Sequence, residues 1–175
     1  MFDGMDDYVS LGDVNSFDSL TELSTCAWVK HNSLTDDDHI LSKVDSSTWS
    51  GFMFFRDDIG QETGRTDMYK VWVSKDTNAK WIEGATNSSV QGAWTHVCMT
   101  FKANDATGLR LYVNGVEDAN SPVSTVGLTT IDSGTTNLVI GRYDPAATNY
   151  INGSMDDLQV YSRVLTSSEV LSNYN

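Results

Sequence analysis

The sequence predicts an all-β fold, a two-sheet antiparallel sandwich closed by one short C-terminal helix. Three observations carry that expectation. Short alternating runs are rich in Val, Thr, Trp, Tyr and Phe; Gly, Asn, Asp and Ser separate them at roughly regular spacing; and helical periodicity is almost absent until the end of the chain.

Taken in order, strands are expected near Tyr8–Leu11, Thr25–His31, His39–Val44, Gly51–Arg56, Met68–Ser74, Thr95–Lys102, Gly108–Val113, Asn137–Arg142 and Gly153–Tyr161. After Leu109–Val113 comes Asn114-Gly115, a pair suited to the positive φ angles of a type I′ hairpin. The polar stretch from Asp57 to Asp67 is expected to be an exposed loop, and Asp36-Asp37-Asp38-His39 a solvated turn. Thr166-Ser167-Ser168-Glu169 has the form of a capping box, so a short helix follows, pinned to the sandwich by Leu165, Val170 and Tyr174. With no internal repeat, Pro-rich linker or low-complexity tract, residues 1–175 are expected to form a single domain.

Composition narrows function. Hydrophobic residues make up 39% and aromatics 10%, too many for a disordered chain. No apolar run approaches the roughly 20 residues needed to span a bilayer, so membrane insertion is not expected. The opening residues show neither a basic nor an apolar signal region. A net charge of −13 denies nucleic acid the basic surface its phosphates need. Of the 24 acidic residues, 19 are Asp, a residue that favours turns and serves as an oxygen ligand for hard cations.

Several segments resemble one family. Phe2-Asp3-Gly4-Met5-Asp6-Asp7-Tyr8-Val9 is similar to the opening strand of laminin-G-like, concanavalin-A-like jelly rolls. Cys26-Ala27-Trp28-Val29-Lys30, Ile40-Leu41-Ser42-Lys43, Trp94-Thr95-His96-Val97, Leu111-Tyr112-Val113-Asn114-Gly115, Ile140-Gly141-Arg142 and Asn152-Gly153-Ser154-Met155-Asp156-Asp157-Leu158 follow in family order. Val160-Tyr161-Ser162-Arg163-Val164-Leu165 closes the series, so the resemblance runs nearly from end to end. It implies that the sandwich is a jelly roll of the concanavalin-A-like kind. His96-Val97-Cys98-Met99-Thr100-Phe101 also resembles the pentraxin signature His-x-Cys-x-Ser/Thr-Trp, with Phe in place of the final Trp.

Site residues follow from the resemblance. In pentraxins the signature cysteine bonds to one on an earlier strand, and Cys26 occupies the matching place, which implies a Cys26–Cys98 disulfide; two buried free thiols are the alternative. Such a bridge would contribute roughly 3–4 kcal/mol and belongs to an oxidising compartment. The family places a structural calcium ion where the first strand meets a late one, which here implicates Asp3, Gly4, Asp7, Asp156 and Asp157. The alternative use of these carboxylates is to cap turns. Pentraxin ligand loops correspond to Val44-Asp45-Ser46 and Gly141–Pro145; Asp45 and Asp144 stand there, but the dense acid and amide cluster of pentraxins is missing. With Tyr143, Asn149, Tyr150 and Asn152 they form a mixture suited to sugars, whose C–H faces stack on aromatics while Asp and Asn hold hydroxyls; the alternative is an ordinary loop around Pro145 with its Tyr residues packed on a sheet edge. Trp28, Trp72 and Trp94 fall in or beside strand patterns and are expected in the core; Trp49 and Trp81 sit next to polar, turn-like sequence, which leaves open whether they pack inside or stand exposed as further stacking platforms.

Catalysis is not expected. Retaining glycosidases need two carboxyls about 5–5.5 Å apart, and the Glu-x-Asp-x-x-Glu strand of glucanase relatives is absent. The adjacent pairs Asp6-Asp7, Asp57-Asp58 and Asp156-Asp157 should point to opposite faces of a strand. Neither a nucleophile elbow nor zinc-type His or Cys spacing occurs. The sequence therefore points to a non-catalytic, calcium-containing recognition module for a glycan or protein surface, located extracellularly, on a cell surface or on a virion, and compatible with oligomerisation. The alternative is a structural decoration or assembly domain of a virion or other surface particle.

Overall fold

The computed structural model describes residues 1–59 and 64–175, with the side chains of Ile59 and Asp144 outside the description. In chain order the strands are β1 (Phe2–Asp3), β2 (Val9–Ser10), β3 (Glu22–His31), β4 (Asp38–Asp45), β5 (Ser50–Ile59), β6 (Thr66–Lys75), β7 (Asn78–Glu83), β8 (Thr95–Lys102), β9 (Leu109–Val113), β10 (Val116–Glu117), β11 (Val139–Ile140) and β12 (Asn152–Tyr161), followed by helix α1 (Ser167–Tyr174). They form two six-stranded sheets, β1-β12-β3-β8-β9-β10 and β2-β11-β4-β5-β6-β7, with antiparallel pairing. This is the expected jelly-roll sandwich.

Period-two alternation builds the core. Leu23, Ala27 and Val29 of β3, Val97, Met99 and Phe101 of β8, Phe52 and Phe54 of β5, and Val71 and Val73 of β6 meet between the sheets. Apart from Ala27, each such side chain contributes about 1.5–3 kcal/mol by leaving water. The intervening residues face outward and differ between sheets. On the first sheet, Cys26, Cys98 and Tyr112 form a second apolar cluster with Leu165 and Val170, which is where α1 docks. The capping box is present: Glu169 N donates to Thr166 Oγ1 at 3.3 Å and Thr166 N to Glu169 Oε2 at 2.8 Å. Tyr174 stacks on Trp28 with ring centroids 5.6 Å apart. The Asn114-Gly115 turn has φ of +50° and +77°, as a type I′ hairpin requires, and a Cβ on Gly115 would lie 2.9 Å from Leu171 of α1.

Three expectations need correcting, and strand β7 was not expected. Asp36–His39 is not a solvated turn throughout: Asp38 opens β4, and both Asp38 and His39 are buried. The stretch from Asp57 to Asp67, of which residues 60–63 lie outside the described residues, is not all loop: β5 continues to Ile59, β6 begins at Thr66, and Asp57 is buried beside Lys70. Strand β7 was hidden because its hairpin turn uses Asp76-Thr77, at φ +49° and +69°, rather than a glycine pair. None of the three tryptophans expected in the core lies there: Trp94 is 44% exposed just before β8 begins, and Trp28 and Trp72 are partly buried on the outer faces of β3 and β6, between the core residues Ala27 and Val29 and Val71 and Val73.

Cys26 and Cys98 are direct cross-strand partners on β3 and β8, and they form a disulfide with Cα atoms 4.1 Å apart across 72 residues of sequence. Thiol titration under denaturing, non-reducing conditions should find no free thiol, and reduction should lower stability in urea by about 2–5 kcal/mol. Two titratable thiols, or an unchanged urea midpoint after reduction, would contradict this account.

Candidate functional site

Two adjoining clefts at one end of the second sheet gather most of the polar chemistry. Their shared wall is Asn149, and it is placed by a short, tightly closed loop. Tyr143 and Thr148 exchange backbone hydrogen bonds of 2.9 and 3.3 Å around a 3-10 turn, Asp144–Ala146. Ala147 and Asn149 then adopt φ of +49° and +55°. The Asn149 carbonyl accepts from His39 N at 3.3 Å, and its side-chain amide donates to Asp37 Oδ2 at 3.3 Å. Ser42 Oγ holds the loop's entrance by donating to Arg142 O at 3.0 Å.

The first cleft, about 340 Å³, is lined by Gly4, Ser33, Thr35, Asp36, Asp38, Asn149, Tyr150 and Asn152. Among these, Asp38 is 3% exposed and ties both sheets together. Its Oδ2 lies 2.7 Å from His31 Nδ1 and 3.3 Å from Arg56 Nε, and its Oδ1 accepts from Asn152 N at 3.1 Å. Arg56, fully buried, also reaches Asp67 Oδ1 at 3.5 Å.

The second cleft, about 270 Å³, opens on the outer face of β4, β5 and β6 and includes Asp37, His39, Trp49, Phe55, Asp57, Lys70, Tyr143 and Asn149. Cross-strand pairing of His39 with Phe55 lets their rings stack, 4.6 Å apart and 4° from parallel, and Tyr143 tilts onto His39 at 5.1 Å. Burial pushes His39 down to about 3, so its ring is neutral at physiological pH. Lys70 is held between Asp57 Oδ2 at 3.4 Å and Glu83 Oε1 at 3.1 Å. Asp37 is half-buried, and its carboxyl is pushed up to about 6, chiefly by desolvation, with the nearby Asp57 and Asp58 adding to the effect. Trp49, 50% exposed, forms a wall.

The sequence-derived site residues fall in different places. Tyr143 and Asn149 line the second cleft, Asn149 and Tyr150 the first. The Asp144 backbone opens the 3-10 turn, while its side chain lies outside the described residues. Asp45 lines neither cleft. It accepts from Ser47 N at 2.8 Å, Ser47 Oγ at 2.7 Å and Thr48 Oγ1 at 3.1 Å, and these bonds hold its carboxyl below the usual range. Its work is to brace the turn that displays Trp49. His39, Phe55, Asp37 and Lys70 were missed, and the outward parity of His39 and Phe55 on paired strands was the available signal.

The expected calcium ligands separate into two groups. Asp3, Asp6 and Asp7 each offer an oxygen within 4.8 Å of the others, all exposed. Two of these carboxylates also cap the turn: Asp3 Oδ1 accepts from Met5 N at 2.8 Å and Asp7 Oδ2 from Asp3 N at 3.1 Å. Asp156 and Asp157 do not join them, because β1 pairs Asp3 with Asn152. Four further residues along β12 place Asp156 roughly 13 Å away. As a donor set the N-terminal turn suits a hard cation only in part, since calcium takes six to eight oxygens.

The sequence matches the family model described as Concanavalin A-like lectin/glucanases superfamily over residues 3–171. Human adhesion G-protein coupled receptor D1 is 33% identical over 107 residues, which is 61% of this chain and 11% of the receptor, so the chain spans a small part of that relative. The heptameric SAP-like pentraxin of Limulus polyphemus superposes with a TM-score of 0.71 at 19% identity, covering 99% of this chain and 80% of the pentraxin. The CBM40 of Ruminococcus gnavus IT-sialidase, solved with alpha2,3 sialyllactose, superposes with a TM-score of 0.69 at 14% identity, covering 99% and 96%. At these identities the two structures speak for the fold alone.

Asp37 generates a testable pH dependence. Its folded pKa lies above its unfolded value, so its favourable contribution is complete below about pH 4 and lost as pH rises through about 6. Asp37→Asn should therefore be more stable than the parent at pH 7, by on the order of 1 kcal/mol after solvent screening. The difference should vanish near pH 3.5, and comparison of the two proteins cancels the opposite effect of His39. Urea denaturation across pH 3.5–7 checks this, and a variant less stable than the parent at pH 7 would contradict it.

Proposed function

The chain belongs to the concanavalin A-like lectin/glucanases superfamily, and from that premise we propose that it is a non-catalytic module that recognises a neutral glycan in the cleft on the outer face of β4, β5 and β6. The observation that carries this reading is the pairing of Trp49 and Tyr143 with Asp37 and Asn149 around one cleft of about 270 Å³. Aromatic faces take the C–H side of a pyranose, and carboxylate and amide groups take its hydroxyls. Electrostatics favour a neutral ligand. Lys70, a cation lining this cleft, is held by the carboxylates of Asp57 and Glu83, and the chain carries a net charge of −13. An anionic sugar of the sialyllactose kind would meet repulsion here.

Lectin-like and carbohydrate-binding domains among the structural relatives favour binding over catalysis, although such domains also occur within glycosidases. The disulfide favours an extracellular setting, and the adhesion-receptor relative fits one. Among the described residues no helix is long and apolar enough to cross a membrane. Calcium enters the reading at the N-terminal turn, with Asp3, Asp6 and Asp7 as carboxylate ligands and Gly4 as a carbonyl donor. Its role there is structural: it would neutralise three converging carboxylates and fasten β1 to β12.

A glycan array with and without calcium tests the reading. Neutral glycans should bind, and Trp49→Ala and Tyr143→Ala should each weaken binding roughly tenfold, the equivalent of about 1.4 kcal/mol of stacking. EGTA should lower the melting temperature through the N-terminal turn. An array silent to every glycan, from a protein that sediments as a closed oligomer, would replace this reading with that of an assembly domain. An unchanged melting curve in EGTA would remove calcium from it.

A further inference from the structure

The opposite face of the sandwich holds a feature that the first site does not use. Where β12, β3 and β8 lie side by side in the first sheet, Trp28, Trp94, Asp156 and Asp157 line a shallow cleft of about 350 Å³. Trp28 is braced by two neighbouring rings, Tyr174 of α1 at 5.6 Å and His96 at 5.3 Å, which are themselves 5.9 Å apart. Trp94, 44% exposed, has the Lys30 ammonium 5.7 Å from its ring centroid. Both indoles are thus steadied before any ligand arrives, which reduces the ordering cost of binding.

The carboxylates reach this cleft through a local break in strand geometry. Consecutive strand residues should face opposite ways, yet Asp156 and Asp157 line the same cleft. The register explains it. Asp156 pairs with Trp28, but the next pair is Gln159 with Cys26, so β12 carries one extra residue in a bulge. Asp157 takes φ of +46° there, in the left-handed region that a residue with a side chain seldom occupies. Its amide donates to Asp156 Oδ1 at 2.9 Å. Two exposed carboxylates are thereby presented beside two fixed indoles.

We infer that this face carries a second binding site, in which Trp28 and Trp94 stack on the ring of a neutral sugar while Asp156 and Asp157 accept hydrogen bonds from its hydroxyls. Two carboxylates against one ammonium repel an anionic ligand. A cationic ligand has to compete with Lys30 for the Trp94 face. The aromatic floor with acceptors along one edge matches the amphipathic faces of a pyranose. This inference does not rest on the first site, which lies across the core on the other sheet. With both sites occupied, one domain would bridge two glycan chains, and avidity on a glycan-coated surface would exceed the affinity of either site.

The five indole N–H signals of ¹⁵N-Trp-labelled full-length chain give a direct test. The probes are neutral gluco-, manno-, galacto-, xylo- and arabino-oligosaccharides, titrated to about 10 mM, a limit that still detects millimolar affinity. The Trp28 and Trp94 signals should shift saturably with at least one probe. Trp94→Ala and Asp156→Asn should each weaken that response at least about tenfold, with urea midpoints confirming that both variants fold, and Trp49→Ala should leave it intact. Silence of both signals across the panel overturns the inference, as does a response only to a lysine-rich peptide, which would mark a protein-contact face. Loss of the response in Trp49→Ala overturns it too, since the shifts would then originate in the first site. A moving Trp49 signal with silent Trp28 and Trp94 retains the first site and removes the second.

Discussion

One buried carboxylate holds the cleft-bearing end of this molecule together. Asp38 sits on β4 of the second sheet and faces Arg56 across the β4–β5 ladder, while His31 of β3 and the Asn152 amide of β12 approach from the first sheet. Four strands from both layers therefore converge on two oxygen atoms. A buried ion pair is a poor source of net stability, because desolvation offsets most of its attraction. Its value lies in what happens when a partner is missing: an uncompensated charge in the core costs several kcal/mol, so alternative registers of β4 and β12 are heavily penalised.

The clefts inherit their geometry from that constraint. With Asp38 turned inward, the neighbouring residues must point elsewhere, so Asp37 reaches the Asn149 amide and His39 lies outward, stacked on Phe55. Asn152, anchored to Asp38, ends the loop that begins at Arg142, and Asn149 within it closes the shared wall. The half-buried Asp37 is the cost of this placement, held close to Asp57 and Asp58 and reluctant to ionise. A strained carboxylate at the mouth of an aromatic cleft is better relieved by hydroxyl donors than by anions, which agrees with a neutral glycan.

Much of the fold was legible because alternation and turn chemistry are local. Strand β8 was predicted over its full length, the Asn114-Gly115 turn follows from φ preferences, and the capping box at Thr166 is a four-residue signal. The cysteine pairing was legible only through family resemblance, which the cross-strand register of Cys26 and Cys98 bears out. What escaped depends on partners distant in sequence. The burial of Asp38 needs Arg56 and His31; the common direction of Asp156 and Asp157 needs a bulge that appears only when β12 is laid against β3; and Trp94 is exposed because it precedes β8 instead of lying inside it. Of the predicted ligand residues, Tyr143, Asn149 and Tyr150 do border the clefts, whereas Asp45 serves the turn beneath Trp49.

The Asp38–Arg56 pair acts as a unit that holds both sheets and, through them, the two adjoining clefts. A double-mutant cycle of Asp38→Asn and Arg56→Met, followed by urea denaturation, measures this directly. The account predicts that each single substitution costs about 3–5 kcal/mol while the double variant costs far less than their sum, since it leaves no unpaired charge in the core. Additive costs would contradict it, and would mean that the two residues contribute independently.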